Sequence, residues 1–348
     1  MSLKATSVRS SLLFILRRVI ASIVTLLVLA IAVFLMIKAI PGDEAHVAAG
    51  ESATPEQVAQ TRSRLGLDRP LIDQLFSFLN RLLHGNLGNS IATHRSVADG
   101  LLHALPQTLE LVVLATILMI AVVTPAAVYS AYRQERGDDL AIRFAIITAA
   151  AVPSFWLALE LQDLLCSRLG IFPIAGELSR GYVVPRHTGS VLIDSLLDGS
   201  PADFSNALQH LILPAFVLML PFAGQLFRAM RAEMVAVLAR DHITVARAKG
   251  LSAGRILRRH ALPNALGPAI TVVGIEFGNM VGAAVLVETV FGLNGLGSYL
   301  TTAVAQKDTF AVLGGVLVIG IVVVATNLVV DLIQLARDPR IRAAQIGG

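Results

Sequence analysis

The chain has 348 residues, of which 55% are hydrophobic and only 15% charged, and its mean hydropathy is +0.71. That balance excludes an ordinary soluble domain and points to a chain whose mass lies mostly in a membrane. The net charge is +4 and the pI near 9.6; in so apolar a chain the basic excess reports topology and anionic headgroups, not nucleic acid.

Residues 19–37 run without a charge, roughly 28 Å as a helix and enough to cross a hydrocarbon core. With residues 1–40 they form an N-terminal stretch and a first span. No small-residue cleavage site follows, and Pro41-Gly42-Asp43 comes directly after, so a cleaved signal peptide is the poorer reading. Residues 41–106 form an external helical segment. Thr54-Pro55-Glu56-Gln57 supplies an N-cap, a proline at the first helical position and a capping-box glutamine, and that helix ends near Gly66. Asp68-Arg69-Pro70 opens another, with Leu71, Leu75, Phe78, Leu79 and Leu82 on one face. Such helices lie on the membrane surface or against neighbouring spans.

Residues 107–348 read as a five-span core. Stretches 111–132 and 309–330 carry no charge, and 204–227 has only His210 as an ionisable side chain. Two more spans are less clean: 141–166 contains Arg143, Glu160 and Asp163, and 266–287 contains Glu276. Six spans result, with Pro125, Pro153, Pro214 and Pro221 expected to break or kink their helices. Gly292-Leu293-Asn294-Gly295-Leu296-Gly297 follows no strand, so it reads as a tight external turn rather than a nucleotide loop. Placing the N-terminus inside makes 1–18, 133–143, 228–268 and 336–348 cytoplasmic, and those stretches hold 18 of the 28 Lys and Arg residues. Both termini are therefore expected in the cytoplasm. The external loop 177–206 is distinctive and has no role assigned from sequence.

Residues 231–268 are the most informative stretch. Arg231, Arg240, Arg247, Lys249, Arg255, Arg258 and Arg259 stand there against only Glu233 and Asp241. A helix is expected from about Arg231 to Lys249, with an apolar stripe at Val235, Leu238 and Val245. Gly250 can take a left-handed conformation after it. Ser252 is the candidate N-cap of a second helix through about His260, stopped by Pro263. The run Thr244-Val245-Ala246-Arg247-Ala248-Lys249-Gly250, followed after nine intervening residues by His260-Ala261-Leu262-Pro263, resembles the EAA loop of ABC importer permeases, which docks on the ATP-hydrolysing subunit. Thr244 stands where the general pattern has Glu, His260 where it has Ile, and His242 where the peptide branch has Tyr.

The resemblance widens to the B-type permeases of dipeptide and oligopeptide importers. It rests on Pro41-Gly42-Asp43, Leu65-Gly66-Leu67-Asp68, Pro70-Leu71, Gly85-Asn86-Leu87-Gly88 and the run Leu105-Pro106-Gln107-Thr108-Leu109-Glu110-Leu111. Pro153-Ser154-Phe155-Trp156, Glu288-Thr289-Val290-Phe291 and Asp338-Pro339-Arg340-Ile341-Arg342 extend it. Asn86 replaces a usual Asp and Asn294 a usual Pro. The resemblance implies an all-α, polytopic inner-membrane permease with six transmembrane helices and a cytoplasmic helix–glycine–helix coupling loop. It implies a heterodimer with a second homologous permease, two ABC ATPase subunits that hold the ATP and Mg, and an external solute-binding protein. No cofactor is expected in this chain itself. The coupling residues would be Thr244, Ala246, Ala248, Gly250, Leu251, Arg255, His260 and Pro263. Peptides are the implied cargo, with nickel, haem, glutathione and sugar as alternatives within the same class.

Ionisable and polar groups inside spans are expensive unless paired or wetted. Glu276, Glu160, Trp156, Asn327 and Glu288 are therefore candidates for the substrate path, against a packing role for each; Asp163 and Asp331 reach the interfaces most simply. Cys166 is the single cysteine, which excludes an intramolecular disulfide and a cysteine-cluster metal site. The histidines, His46, His84, His94 and His103 among them, lack metal-ligand spacing. No P-loop, Gly-x-Ser-x-Gly or His-Glu-x-x-His run occurs, so catalysis by this chain is not expected. The rival from another class is a stand-alone secondary transporter or channel, which needs an internal repeat with broken helices; none is evident.

Overall fold

The computed structural model describes residues 2–39, 44–50, 53–90, 93 and 95–337; Pro41-Gly42-Asp43, His94 and the run 338–342 lie outside them. Among the described residues the regular structure is helical, apart from an isolated bridge between Asn89 and Ser96. The chain opens with α1 (Ser2–Ala39), the short α2 (Glu44–Ala49), α3 (Pro55–Leu65) and α4 (Leu71–Leu83). Thr54 and Gln57 form the expected reciprocal capping box, and Gly66 closes α3 in the left-handed region at φ 69°.

Then come α5 (Val97–Tyr132), α6 (Gly137–Ala151), α7 (Ser154–Leu161, continued by a wider turn Gln162–Arg168), α8 (Val191–Leu197) and α9 (Pro201–Leu238). The chain closes with α10 (Asp241–Ala248), α11 (Ala253–Arg255), α12 (Leu262–Phe291), α13 (Leu296–Ala305) and α14 (Thr309–Arg337). Among the described residues five helices are long and apolar enough to cross a membrane: Ile15–Met36, Val97–Tyr132, Pro201–Leu238, Ala253–Phe291 and Thr309–Ile333. The stretch expected as a span over 141–166 is broken at Pro153, as the proline predicts: α6 and α7 are apolar enough to make a sixth span together, but they are bent by 99°.

Proline placement explains the bend. Pro153 forces the residue before it out of helical space, and Val152 sits at φ −77°, ψ 132°. Pro125, Pro214 and Pro221 do not break their helices: they lie inside continuous α5 and α9. The boundary drawn between residues 106 and 107 falls inside α5, which already starts at Val97. The loop 177–206 contains a helix, α8, and the glycine-rich turn 292–297 leads into another, α13; the sequence pattern separates neither.

The core forms where α5, α9 and α12 cross, around fully buried Leu111, Met119, Leu218, Phe227, Met230, Met234 and Met280. Buried Ala115, Ala127, Ala215, Ala223 and Ala284 sit among them; small residues let membrane helices approach closely, since lipid gives little hydrophobic drive for association. α1 and α14 pair beside this core. α4 lies on them, with Phe78, Leu79 and Leu82 against Ala30, Val33, Leu313 and Leu317. The Phe34 and Phe78 rings are 5.6 Å apart. Leu71, expected on the same inner face, is instead 61% exposed. It stands in the first turn of α4 and belongs with exposed Ile72 and Phe76.

Candidate coupling loop

The expected helix from Arg231 to Lys249 is split in two. Residues 231–238 are the tail of α9, and the chain turns at Ala239 and Arg240, where Arg240 is extended at φ −76°, ψ 150°. No glycine or proline marks this break. Packing imposes it, because the turn lets Ile243 and Ala246 of α10 insert into the main core beside Val237 and Met234. Val235 and Leu238 are half-buried as expected, but the break rotates Val245 outward and leaves it 52% exposed.

The end of α10 is a closed glycine cap. The Leu251 amide donates to the Ala246 carbonyl (3.2 Å) and the Gly250 amide to the Arg247 carbonyl (2.9 Å), with Gly250 left-handed at φ 75°. Leu251 then packs on the core. Ser252 is extended ahead of α11, but its hydroxyl caps nothing; its carbonyl accepts from the Arg255 and Ile256 amides at 3.0 Å each. Pro263 does not stop the helix. A wider π turn over Ile256–Ala261 leads into α12, and Pro263 occupies the first turn, where a missing N–H costs nothing.

The loop therefore has an inner and an outer side. Ala246 is buried, Leu251 and His260 are half-buried, and Thr244, Ala248, Gly250, Arg255 and Pro263 face outward. The His260 carbonyl accepts from Asn264 Nδ2 at 2.7 Å. Arg247, Lys249, Arg255, Arg258 and Arg259 are all exposed, and among the described residues none of them forms an ion pair. The outer side is thus a cationic surface around a small apolar spot, Val245 and Ala248.

The substrate-path candidates do not form one cluster. Trp156 and Glu160 lie one turn apart on α7, both exposed, and Asn327 is exposed on α14. Glu276, 1% exposed, is enclosed by the chain's own helices, and its Oε2 accepts from Asn279 Nδ2 at 3.0 Å. Glu288 is fully buried; its Oε2 accepts from the Gly297 amide at 2.7 Å, and Thr108 Oγ1 accepts from the Leu296 amide, also at 2.7 Å. A Cβ on Gly297 would overlap the Val285 backbone, so this turn requires its glycine.

Sequence reasoning missed several acidic residues that organise the opposite end of the bundle. Both oxygens of Glu110 accept backbone amides at the start of α8, Val191 at 3.1 Å and Leu192. Asp194 accepts from the amides of His187 (3.1 Å), Thr188 (2.8 Å) and Gly189 (3.1 Å) and from the Thr188 hydroxyl (2.7 Å). Burial pushes the Asp194 carboxyl up, but these hydrogen bonds outweigh it and hold it below the usual value. Glu177 joins Arg186 (3.0 Å) to Asn294 (2.8 Å). The only prior signal was that Glu110 and Glu288 fall in recognisable motifs. Among the described residues no three His, Cys, Asp or Glu side chains gather as a metal site.

A bundle of apolar spans with a cationic helix–glycine–helix at one end fits the class of transport permeases. Residues 123–343 match the family model of the binding-protein-dependent transport system inner membrane component, and 11–112 match its N-terminal counterpart. The chain belongs to this family: it is a multi-pass transport permease of the bacterial inner membrane and not an enzyme. It is 41% identical to the "Probable D,D-dipeptide transport system permease protein DdpB" of Escherichia coli K12, over 88% of this chain and 91% of that one. It is 37% identical to the "Di/tripeptide transport system permease protein DppB" of Pseudomonas aeruginosa, over 94% and 98%. Against the "Dipeptide transport system permease protein DppB" of Alkalihalophilus pseudofirmus the identity is 34%, over 95% and 99%.

Proposed function

We propose that the chain is a membrane subunit of an ATP-driven peptide importer. It works as a heterodimer with a second, homologous permease, with two ATPase subunits on the cytoplasmic side and a solute-binding protein outside. The peptide assignment is supported by relatives named for dipeptide and di/tripeptide transport across nearly the whole chain. The docking assignment is carried by α10, whose Ile243 and Ala246 root it in the core while Thr244, Val245, Ala248 and Gly250 stay outside.

ATP and Mg sit in the ATPase subunits. Their closure displaces α10 and, through Leu251, Arg255 and the His260–Pro263 turn, the start of α12. The spans then tilt between outward and inward access, with both termini in the cytoplasm. Cargo passes Trp156 and Glu160 on α7 and Asn327 on α14, with Glu276 and Glu288 enclosed within the bundle.

Proteoliposomes test this. The chain with its partner permease, ATPases and binding protein should take up a labelled dipeptide only with ATP on the ATPase side. Uptake by this chain alone, driven by an ion gradient, would establish a secondary transporter instead.

A further inference from the structure

One buried cluster ties the turn between α5 and α6 to the root of the coupling loop. Asp139, in the first turn of α6, is 1% exposed. Its Oδ1 accepts from the Ser130 hydroxyl on α5 and from Arg231 Nε on α9 at 2.9 Å. Its Oδ2 accepts from Arg231 Nη2 at 2.6 Å and from the Glu135 amide at 3.2 Å. A guanidinium fork on a carboxylate fixes orientation as well as distance. The turn itself is drawn tight: Glu135 is left-handed at φ 64°, and Arg133 Nε reaches Asp138 at 2.8 Å. Arg231 stands about two helical turns before Leu238, where α9 gives way to α10.

A second strap lies at the other end of α6. A Cβ placed on Gly224 of α9 would stand 3.2 Å from the Ala150 Cβ. Helix α6 is thus held on α9 at both ends, by a charge-assisted fork and by close backbone approach. Immediately beyond Ala150 comes the 99° bend at Val152–Pro153, after which α7 packs on α12 as well as α9. A buried ion pair is a weak source of net stability, because desolvation offsets the attraction. What this one supplies is a fixed relation between α6 and the helix that carries the coupling loop.

We propose that Asp139 and Arg231 are the positioning pair that makes α6 and the coupling-loop end of α9 a single lever, delivering displacement of the loop to the bend at Val152–Pro153. This rests on reading α10 and Gly250 as the ATPase-docking loop. Two consequences follow from it. During transport α6 does not slide on α9, and the movement is taken up at the bend.

The test uses the full reconstituted importer with Ala150→Cys and Gly224→Cys in a Cys166→Ser background, Cys166 being the single native cysteine. The Cβ separation is close to the ~3.5–4.5 Å that a disulfide needs. The oxidised, cross-linked complex should import dipeptide as fast as the reduced one. Asp139→Asn should raise ATP hydrolysed per peptide imported by about ten-fold, within the range of site-to-site coupling, and oxidation of the cysteine pair in that variant should restore the ratio. A packing role alone would not give that rescue. If Asp139→Asn does not assemble, Arg231→Lys, which keeps the charge but loses the fork, takes its place with the same readout. Arrest of import by the cross-link, failure of the pair to cross-link, or an unchanged ratio in the uncharged variant overturns the proposal. Failure of the parent complex to import with ATP would instead sink the importer reading.

Discussion

The two ends of the helix bundle treat charge in opposite ways. At the end formed by the starts of α5, α9 and α14, carboxylates turn inward and bind backbone amides. Glu110 caps α8, Asp194 gathers the 187–189 turn, Glu288 holds Gly297, and Asp308 accepts from the Ser90 hydroxyl and the Ala311 amide. At the coupling-loop end Arg247, Lys249, Arg255, Arg258 and Arg259 point outward, and among the described residues none of them is ion-paired. Asp139 with Arg231 is the buried exception there. A buried polar group must find its partner within the chain, whereas an exposed cation can wait for another subunit. The first end is therefore built to hold its own loops, and the second to present a surface.

The largest expected effect falls on the surface end. Nothing lies within 4 Å of a Cβ built on Gly250, so a substitution there meets no clash and acts through the backbone alone. A β-branched residue at a left-handed position costs about 1–2 kcal/mol, roughly a 5- to 30-fold loss of the native loop geometry. Gly250→Val should express normally and lower ATP-driven import by that factor, with ATPase co-purification reduced. Gly250→Asn should fall less, since asparagine visits the left-handed region readily. Equal import by all three chains would end the contrast between a presenting end and a self-contained one.

At the opposite end the expected change is in stability. Asp194→Ala strands the three amides and one hydroxyl that its carboxylate accepts from. The cost is about 1–3 kcal/mol, read as a lower Tm of the purified complex with ATPase binding intact. The pH dependence has a definite sign. Hydrogen bonding, opposed by burial, holds this carboxyl below its ordinary value. Its contribution is therefore complete above about pH 3.9, the ordinary Asp value, and is lost as pH falls through the lower folded value. The parent should lose thermal stability on acidification below about pH 4 more steeply than Asp194→Asn does. A parallel loss in the two would remove Asp194 from the account.

What was legible in the sequence was local. The capping box at Thr54 and Gln57 and the glycine caps at Gly66 and Gly250 depend on residues a few positions apart, and all three form as expected. Charge-free runs announced the spans for the same reason. The features that escaped depend on distant neighbours. The break at Ala239 and Arg240 has no breaker residue and exists because Ile243 and Ala246 find the core. Asp139 and Arg231 are 92 positions apart, and neither sits in a motif that pairs them. Pro263 was legible as a proline but not as one that a preceding wide turn would admit to a helix start. For the same reason Glu276 and Glu288, costly in a span, read equally well as path or packing until their enclosure was seen.

The smallest effect concerns α4, where no function need change. Phe78 and Leu82 pack on α1 and α14, while Asp73 and Arg81 are exposed, and Leu71 is 61% exposed. Single cysteines at Asp73 and Arg81 should react quickly with a water-soluble maleimide added to intact cells in a Cys166→Ser chain, and cysteines at Phe78 and Leu82 slowly. Leu71 refines this, because exposure in the isolated chain includes surface that meets lipid. Leu71 is exposed together with Ile72 and Phe76, the pattern of an interfacial helix with one face in the acyl boundary. Leu71→Cys should then resist the water-soluble reagent yet react with a membrane-soluble one. Fast reaction with the water-soluble reagent would place that face in solvent, and rapid labelling at Phe78 would detach α4 from the bundle.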